Sequence, residues 1–445
     1  MNRNLGIKLG AVGLLILLLM IPLLMIDGMV SERQRLREGV LDDIASSSSR
    51  AQQITGPILV VPYRKTVREW KTHEKTGQRY LEEREYRDRL YFLPERFAVD
   101  GAVSSEARSR GIYQARLYHS DSQVSGHFRV PAQYGISEDF ADYRFEPAFL
   151  SIGISDIRGI ENDLRLRLNG AELPFAAGTA DNLLSNGVHA PLPALDMASG
   201  QRLDFAFHLK LQGTGSLSVT PVGRDTQVQL RSDWPHPSFV GEFLPQQREI
   251  TAQGFSAHWQ TSFFATNLEE VLADCVSRER CQTFEQRYFG VSFVDPVDQY
   301  LKTERAIKYA LLFIALTFAG FFLFEVLKRL AVHPVQYGLV GLALALFYLL
   351  LLSLSEHLPF ALAYGLSSGA CVLLLAIYLS AVLHSALRGG LFGLALSLLY
   401  ALLYGLLSAE DYALLMGSLL VFALLAGVML LTRKLDWYAL GKSPA

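Results

Sequence analysis

The chain has 445 residues and a formal net charge of −2, from 41 Lys and Arg against 43 Asp and Glu. That balance, with no basic face evident, argues against nucleic acid as a partner. Half of the residues are hydrophobic and they cluster near the two ends, so one water-soluble domain attached to a membrane domain is expected.

Met1–Leu9 holds Arg3 and Lys8, and Leu9–Ile26 is apolar, with Pro22 near its end. A cleaved secretory signal needs small residues before the cut, and Leu24-Met25-Ile26-Asp27 is bulky. A retained transmembrane helix with a cytoplasmic N-terminus is expected, because basic residues stay inside. Leu36, Val40, Leu41 and Ile44 then recur at helical spacing among charged residues. This amphipathic helix either continues the first span and caps the soluble domain or lies on the lipid surface. Ser46–Ser49 ends it.

Gly56–Tyr63 reads as a strand bounded by prolines, and Arg79–Leu93 alternates charged and apolar residues in the manner of a strand. Further strands are expected at Ile112–His119, Gln123–Val130, Ala148–Ser155, Leu164–Leu168 and Leu203–Leu211, then at Thr226–Arg231, Phe255–Gln260 and Tyr288–Val294. Asp100-Gly101, Asn169-Gly170, Asn186-Gly187 and Gly213-Thr214-Gly215 read as turns, and Asn267–Cys275 as a helix. Many short strands with turns between them predict a large, mainly antiparallel β domain, a sandwich or barrel.

Pro296–Lys302 leads into two apolar runs, about Ala306–Leu327 and Val335–Leu354. Each is long enough to cross ~30 Å of hydrocarbon as a helix. Three more spans are expected at about Leu358–Leu383, Gly389–Leu407 and Tyr412–Leu431, giving a multi-pass α-helical membrane protein of six transmembrane helices. Lys or Arg mark the links Lys328–Pro334 and His384–Arg388 and the tail after Arg433-Lys434, and are missing from Ser355–Pro359 and Ser408–Asp411. Both termini are therefore expected in the cytoplasm and the soluble domain outside. The expected division is 1–28 for the anchor, 29–300 for the β domain, 301–434 for the five-helix bundle and 435–445 for the tail.

Few residues point to chemistry. The ten histidines form no metal motif, and neither Gly-x-Ser-x-Gly nor a phosphate loop occurs. No cofactor or metal is expected. Glu325, near the end of the second span, is a candidate because an ionisable group in a span is kept for a reason. Its structural reading is contact with headgroups or an ion pair with Lys328 or Arg329. Glu356 and His357 should lie at the outer mouth of the bundle, where a carboxylate beside an imidazole can hold a cation or relay protons; a solvated helix end is the structural reading. Trp234-Pro235-His236-Pro237 is stiffened by its prolines. It is either a turn that packs Trp234 into the core or a recognition loop carrying Trp234 and His236. Cys371 sits in an apolar run. Cys275 and Cys281, with five residues between them, suggest a disulfide if the domain faces an oxidising compartment. Free thiols or half of a zinc site are the alternatives, and no second cysteine pair completes such a site.

Longer stretches carry a resemblance. They include Phe92-Leu93-Pro94-Glu95, Arg110-Gly111-Ile112-Tyr113, Asp156-Ile157-Arg158-Gly159-Ile160, Ser232–Phe239, Asp298-Gln299-Tyr300, Ser353–His357 and Asp436-Trp437-Tyr438. With them the chain resembles the CreD family of bacterial inner-membrane proteins along essentially its whole length. The cysteine pair is not part of that pattern. The resemblance implies a multi-pass inner-membrane protein of a Gram-negative bacterium with its large domain in the periplasm. It also implies a role in cell envelope integrity under two-component regulation, linked to β-lactam and colicin responses. It supplies no catalytic residues. The expected function is therefore non-enzymatic: a β domain that binds an unknown periplasmic or envelope partner, held to the lipid bilayer by the bundle. A transporter or lipid-handling protein is the alternative.

Overall fold

Period-two burial governs the middle of the chain. In the strand Gln201–Thr214, Leu203, Phe205, Phe207, Leu209 and Leu211 all face inward while their neighbours face out, the mark of a half-buried sheet. In the computed structural model, which describes residues 3–73, 75, 78–137, 139–278, 281–293, 299–328, 332–408 and 413–433, this stretch belongs to one of two compact units. One unit is Val40–Pro296; the other combines Met1–Gly39 with Val297–Ala445. Helix α1 (Arg3–Ser47) runs from the second into the first.

The β unit contains two sheets that share one core. Along its main path the first is ordered Pro237–Gly241, Phe289–Phe293, Ser216–Val219, Gln52–Thr72, Phe149–Ile154, Gly187–Pro191, Ala176–Ala177, and Arg79–Phe92 and Tyr143–Phe145 also pair with Gln52–Thr72. The second is ordered Gln247–Thr251, Gly254–Ser262, Asp225–Ser232, Arg96–Arg110, Tyr113–Val130, Gln201–Thr214, Arg165–Leu168, Ala171–Pro174. Pairing is antiparallel except between Gln52–Thr72 and Ser216–Val219 and between Arg96–Arg110 and Asp225–Ser232. Trp259, Tyr118, Phe97, Phe128, Phe284 and Phe289 are fully buried. Helices α2 (Phe263–Thr266), α3 (Leu268–Arg278) and α4 (Gln282–Gln286) follow the last strand of the second sheet.

Three expectations for the β unit need correction. The strand expected between prolines runs through both of them, from Gln52 to Thr72, and its register shifts between Thr55 and Ile58, around Pro57. A register break is where a strand tolerates a residue without an N–H. Asp100-Gly101 is not a turn. It lies inside Arg96–Arg110, a strand too polar after Val103 to show an apolar period. There a side chain at Gly101 would come within 2.8 Å of Ser122 and 2.9 Å of Leu230, so the glycine permits close approach of neighbours. Finally, Ile112–His119 and Gln123–Val130 are one strand, Tyr113–Val130, paired along its length. Asn169-Gly170 does turn, with both residues left-handed, as a two-residue hairpin of this type requires.

The other unit is helical: α5 (Gln299–Lys308), α6 (Ala310–Lys328), α7 (Pro334–Ser355), α8 (Phe360–Val382), α9 (Ala386–Ser408) and α10 (Ala413–Thr432), with the first part of α1. Four helices among the described residues are long and apolar enough to cross a membrane: Gly10–Ser47, α7, α8 and α9. The span expected at Ala306–Leu327 is instead two helices, α5 and α6, bent by 45°; counting them as one span gives five. The bend follows Lys302, Glu304, Arg305 and Lys308, whose charges suit an interface better than hydrocarbon. The expected tail 435–445 lies outside the described residues.

Small residues let these helices approach. A side chain at Gly341 of α7 would collide with Leu19 of α1 and Phe318 of α6. Side chains at Gly389 and Gly393 of α9 would run into Ser380 and Ala376 of α8. Glycines four apart that face small residues bring backbones together, which is how helices associate where no hydrophobic effect drives them.

Candidate functional site

Glu325 sits three residues before the end of α6 and is 5% exposed. Its Oε1 accepts from Lys8 of α1 and, at 3.1 Å, from the Val332 backbone N–H; Oε2 accepts from the Tyr337 hydroxyl of α7 at 2.8 Å. Tyr337 is fully buried against Phe318 and Phe321. The turn before α7 is itself fixed. His333 caps the helix by accepting from Val335 N–H, Gln336 returns a bond to His333 N–H, and Pro334 opens the first turn. One carboxylate thus joins α1, the α6–α7 turn and α7. The cation paired with it is Lys8, from the start of the chain. Of the two neighbours expected from sequence, the side chain of Lys328 and the whole of Arg329 lie outside the described residues.

At the other end of α7, Glu356 pairs with Arg33 of α1 at 3.5 Å and accepts from the Tyr300 hydroxyl of α5 at 3.3 Å. Its side chain is 12% exposed. His357 is exposed, and among the described residues no hydrogen bond or ion pair joins its side chain to Glu356. Lys8 and Arg33 are twenty-five residues apart on one continuous helix. That is ~37 Å at 1.5 Å per residue, a little more than the ~30 Å hydrocarbon layer. The two charge clusters are therefore spaced like the two faces of a bilayer. A charge there is inexpensive when paired and close to headgroups.

In the β unit, Trp234 is 8% exposed and belongs to the core. Its ring lies edge-on to His236 and under the Arg116 guanidinium, 4.1 Å from the centroid, and its indole N–H donates to the His236 carbonyl at 2.9 Å. Asp233 beside it accepts from Ser105 N–H. The turn-and-core reading therefore describes Trp234, while His236 is left exposed. Cys275 and Cys281 form a disulfide, with Cα atoms 4.5 Å apart, that joins α3 to the residue before α4. Cys371 is buried and accepts from Tyr400 OH at 3.4 Å.

Sequence reading flagged the carboxylates but missed their partners and a second latch. Asp156 accepts from Arg50 N–H, Arg158 N–H and the Arg158 guanidinium. Arg158 in turn donates to the Ser46 carbonyl at the end of α1, at 2.7 Å. This caps the helix with a cation at its negative pole. Gly159 sits where a side chain would strike the Gln212 carbonyl. Val40, Leu41 and Ile44 pack on Ala115 and Leu117, so the amphipathic end of α1 caps the β unit. The signal for this latch was the Asp156–Ile160 stretch itself. Among the described residues no group of three or more His, Cys, Asp or Glu is placed to hold a metal ion.

The arrangement binds helices and strands to one another: its carboxylates hold basic side chains, tyrosine hydroxyls and backbone N–H groups. Comparison with known proteins agrees with the architecture. The family model described as "Inner membrane protein CreD" matches residues 4–438. A relative from Escherichia coli (strain K12), also described as "Inner membrane protein CreD", is 42% identical over 428 residues, covering 95% of this chain and 92% of its own. With a match along nearly the whole chain, a large β unit and several apolar helices, this chain belongs to the CreD family of inner membrane proteins.

Proposed function

We propose that the protein is a non-enzymatic component that maintains cell envelope integrity, in which the helical unit anchors and the β unit receives a periplasmic or envelope partner. On this reading α10 completes six spans, both termini are cytoplasmic and the β unit is periplasmic. Expression falls under the two-component regulation and the β-lactam and colicin responses that the resemblance implies.

The observation that carries the anchor reading is the pairing of both bundle carboxylates with cations of α1, Lys8 with Glu325 and Arg33 with Glu356. A carboxylate serving a moving ion or proton must exchange partners. These two are tied to basic residues and tyrosines of neighbouring helices, which suits a fixed scaffold. The same pairs support the alternation of spans: the start of α1 shares an end with Glu325, and Arg33 shares one with Glu356. The filled β core, with clefts of about 830 Å³ and 710 Å³ at its surface, supports partner binding over storage of an apolar cargo inside the unit.

The lipid-handling alternative has one observation in its favour, an apolar groove of about 460 Å³ lined by residues of α6, α9 and α10, among them Leu316, Leu403 and Phe422. Complementation separates the two. A deletion strain carrying Glu325→Gln or Glu356→Gln at wild-type membrane abundance should keep normal resistance to detergent and colicin. Loss of resistance in either strain would move the assignment to transport.

A further inference from the structure

The β unit contains a cleft of about 710 Å³ whose wall includes Arg87, Asp88, Arg89, Tyr63, Asp181 and the Cys275–Cys281 disulfide. Its volume is in the range of small-molecule sites, about 300–1,000 Å³. The residue that matters most is Asp181. Its side chain is 2% exposed. Three donors converge on one of its oxygens: Arg89 at 2.7 Å, Leu183 N–H at 3.0 Å and the Tyr91 hydroxyl at 3.2 Å, all to Oδ1. The other oxygen, Oδ2, is buried and has no partner among the described residues. A buried carboxylate oxygen without a donor carries an uncompensated desolvation cost, so such an atom calls for a donor from outside the chain, a water or a ligand group.

The carboxylate is held in advance. Thr179 Oγ donates to the Asp181 carbonyl at 2.8 Å, and Ser151 Oγ donates to the Thr179 carbonyl at 3.0 Å. Burial, and after it the charge of Asp181, pushes the Tyr91 hydroxyl above its ordinary pKa, so it remains a donor to Oδ1 at any physiological pH. The surrounding charges select the ligand. Arg89 already neutralises Asp181. A cation brought to Oδ2 would meet the guanidinium groups of Arg89 and Arg87. An anion would meet Asp88 and Glu146, which also line the cleft. A neutral group that donates to Oδ2 and accepts from Arg87 meets neither penalty, and a hydroxyl does both from one atom. The ring of Tyr63 beside these polar groups adds an apolar face of the kind that packs on the C–H side of a pyranose.

We propose that this cleft is a binding site for a neutral sugar unit, with a sugar hydroxyl donating to Asp181 Oδ2 and a neighbouring oxygen accepting from Arg87. The proposal deepens the partner-binding reading of the β unit and rests on it.

The test uses the full chain in lipid nanodiscs, because maltoside detergents would themselves compete. Saturation-transfer difference NMR is recorded with maltotriose and with chitotriose, one carrying hydroxyls alone and the other hydroxyls with N-acetyl groups. Putrescine and inorganic phosphate, followed by calorimetry, are the cation and anion arms. At least one of the sugars should show transfer. Asp181→Asn and Arg87→Ala should each weaken its binding roughly tenfold, about the worth of one hydrogen bond to a charged group. Arg87 is exposed and its replacement should leave the fold intact, which keeps the test valid even if Asp181→Asn lowers stability. Silence of both sugars, signal that survives both substitutions, or binding of putrescine or phosphate in their place would overturn the assignment. Envelope complementation by Arg87→Ala distinguishes the two levels. Failure of both sugars to bind the parent protein, together with complementation lost in Arg87→Ala, overturns the sugar assignment and retains a partner site of other chemistry. Sugar binding lost in the variant with full resistance supports the sugar site and removes it from the envelope role.

Discussion

At the scale of single residues, the chain uses charge to fasten rather than to react. The Lys8 side chain is about a quarter exposed and that of Glu325 nearly buried, so removing one member leaves the other poorly solvated. Glu325→Gln should therefore lower the stability of the inserted protein by about 1–2 kcal/mol, less than a fully buried pair because Lys8 can reach water. The double variant Lys8→Met/Glu325→Gln should recover most of that loss. Thermal melting of the parent, both single variants and the double in nanodiscs measures the coupling; additive losses would show that the pair is not coupled. Asp156 gives a pH prediction. Its hydrogen bond from Arg158, opposed by burial and helped by Arg50, holds its carboxyl below the usual carboxylate range. A depressed folded pKa contributes stability that is present above the unfolded value of about 3.9 and lost as pH falls through the folded one. The urea midpoint of the β unit, followed by the fluorescence of Trp234 and Trp259, should drop as pH falls below about 4. In Asp156→Asn that acid slope should be shallower and the midpoint already lower at pH 7.

At the scale of elements, helix contacts rest on the absence of side chains. Gly341 lets α7 touch both Leu19 and Phe318, and a Cβ at Gly338 would lie 3.5 Å from Leu15. Cysteines placed at 15 and 338 should therefore form a disulfide readily under mild oxidation. Adding Gly341→Val should force α1 and α7 apart and slow that cross-link at least tenfold, read on a non-reducing gel; an unchanged rate would place the helices elsewhere. The disulfide between Cys275 and Cys281 works on a shorter range. Closing a loop of that size is worth roughly 2 kcal/mol in the chain-entropy model, and it ties α3 to the start of α4 where Phe284 enters the core. Strand Arg96–Arg110 shows how an element with little apolar period still forms: Tyr113–Val130 pairs with it along its whole length, and Asp225–Ser232 pairs with its other edge as far as Val103.

At the scale of the whole molecule, the proposed orientation rests on the loop charges and is open to direct measurement. Single cysteines at Ser355 and Ser408 should react with a membrane-impermeant maleimide added to intact spheroplasts, and one at Ser385 only after the membrane is opened. Labelling of Ser385 from outside would reverse the proposed topology. The sequence by itself determined the class of the protein. Apolar runs of span length, basic links and alternating strands are local patterns, and local patterns are read from neighbours in the chain. It also pointed to Glu325, Glu356, Trp234 and the cysteine pair, because each residue type stands out against its surroundings. Tertiary structure alone decided what those residues touch. Lys8 meets Glu325 across 317 positions of sequence, and the donors on Asp181 include a strand tyrosine, Tyr91, 90 positions away. No spacing rule encodes such pairs. It also decided why Asp100-Gly101 continues a strand. In each case the chain's own preference is weak, and the contacts made by distant segments set the outcome.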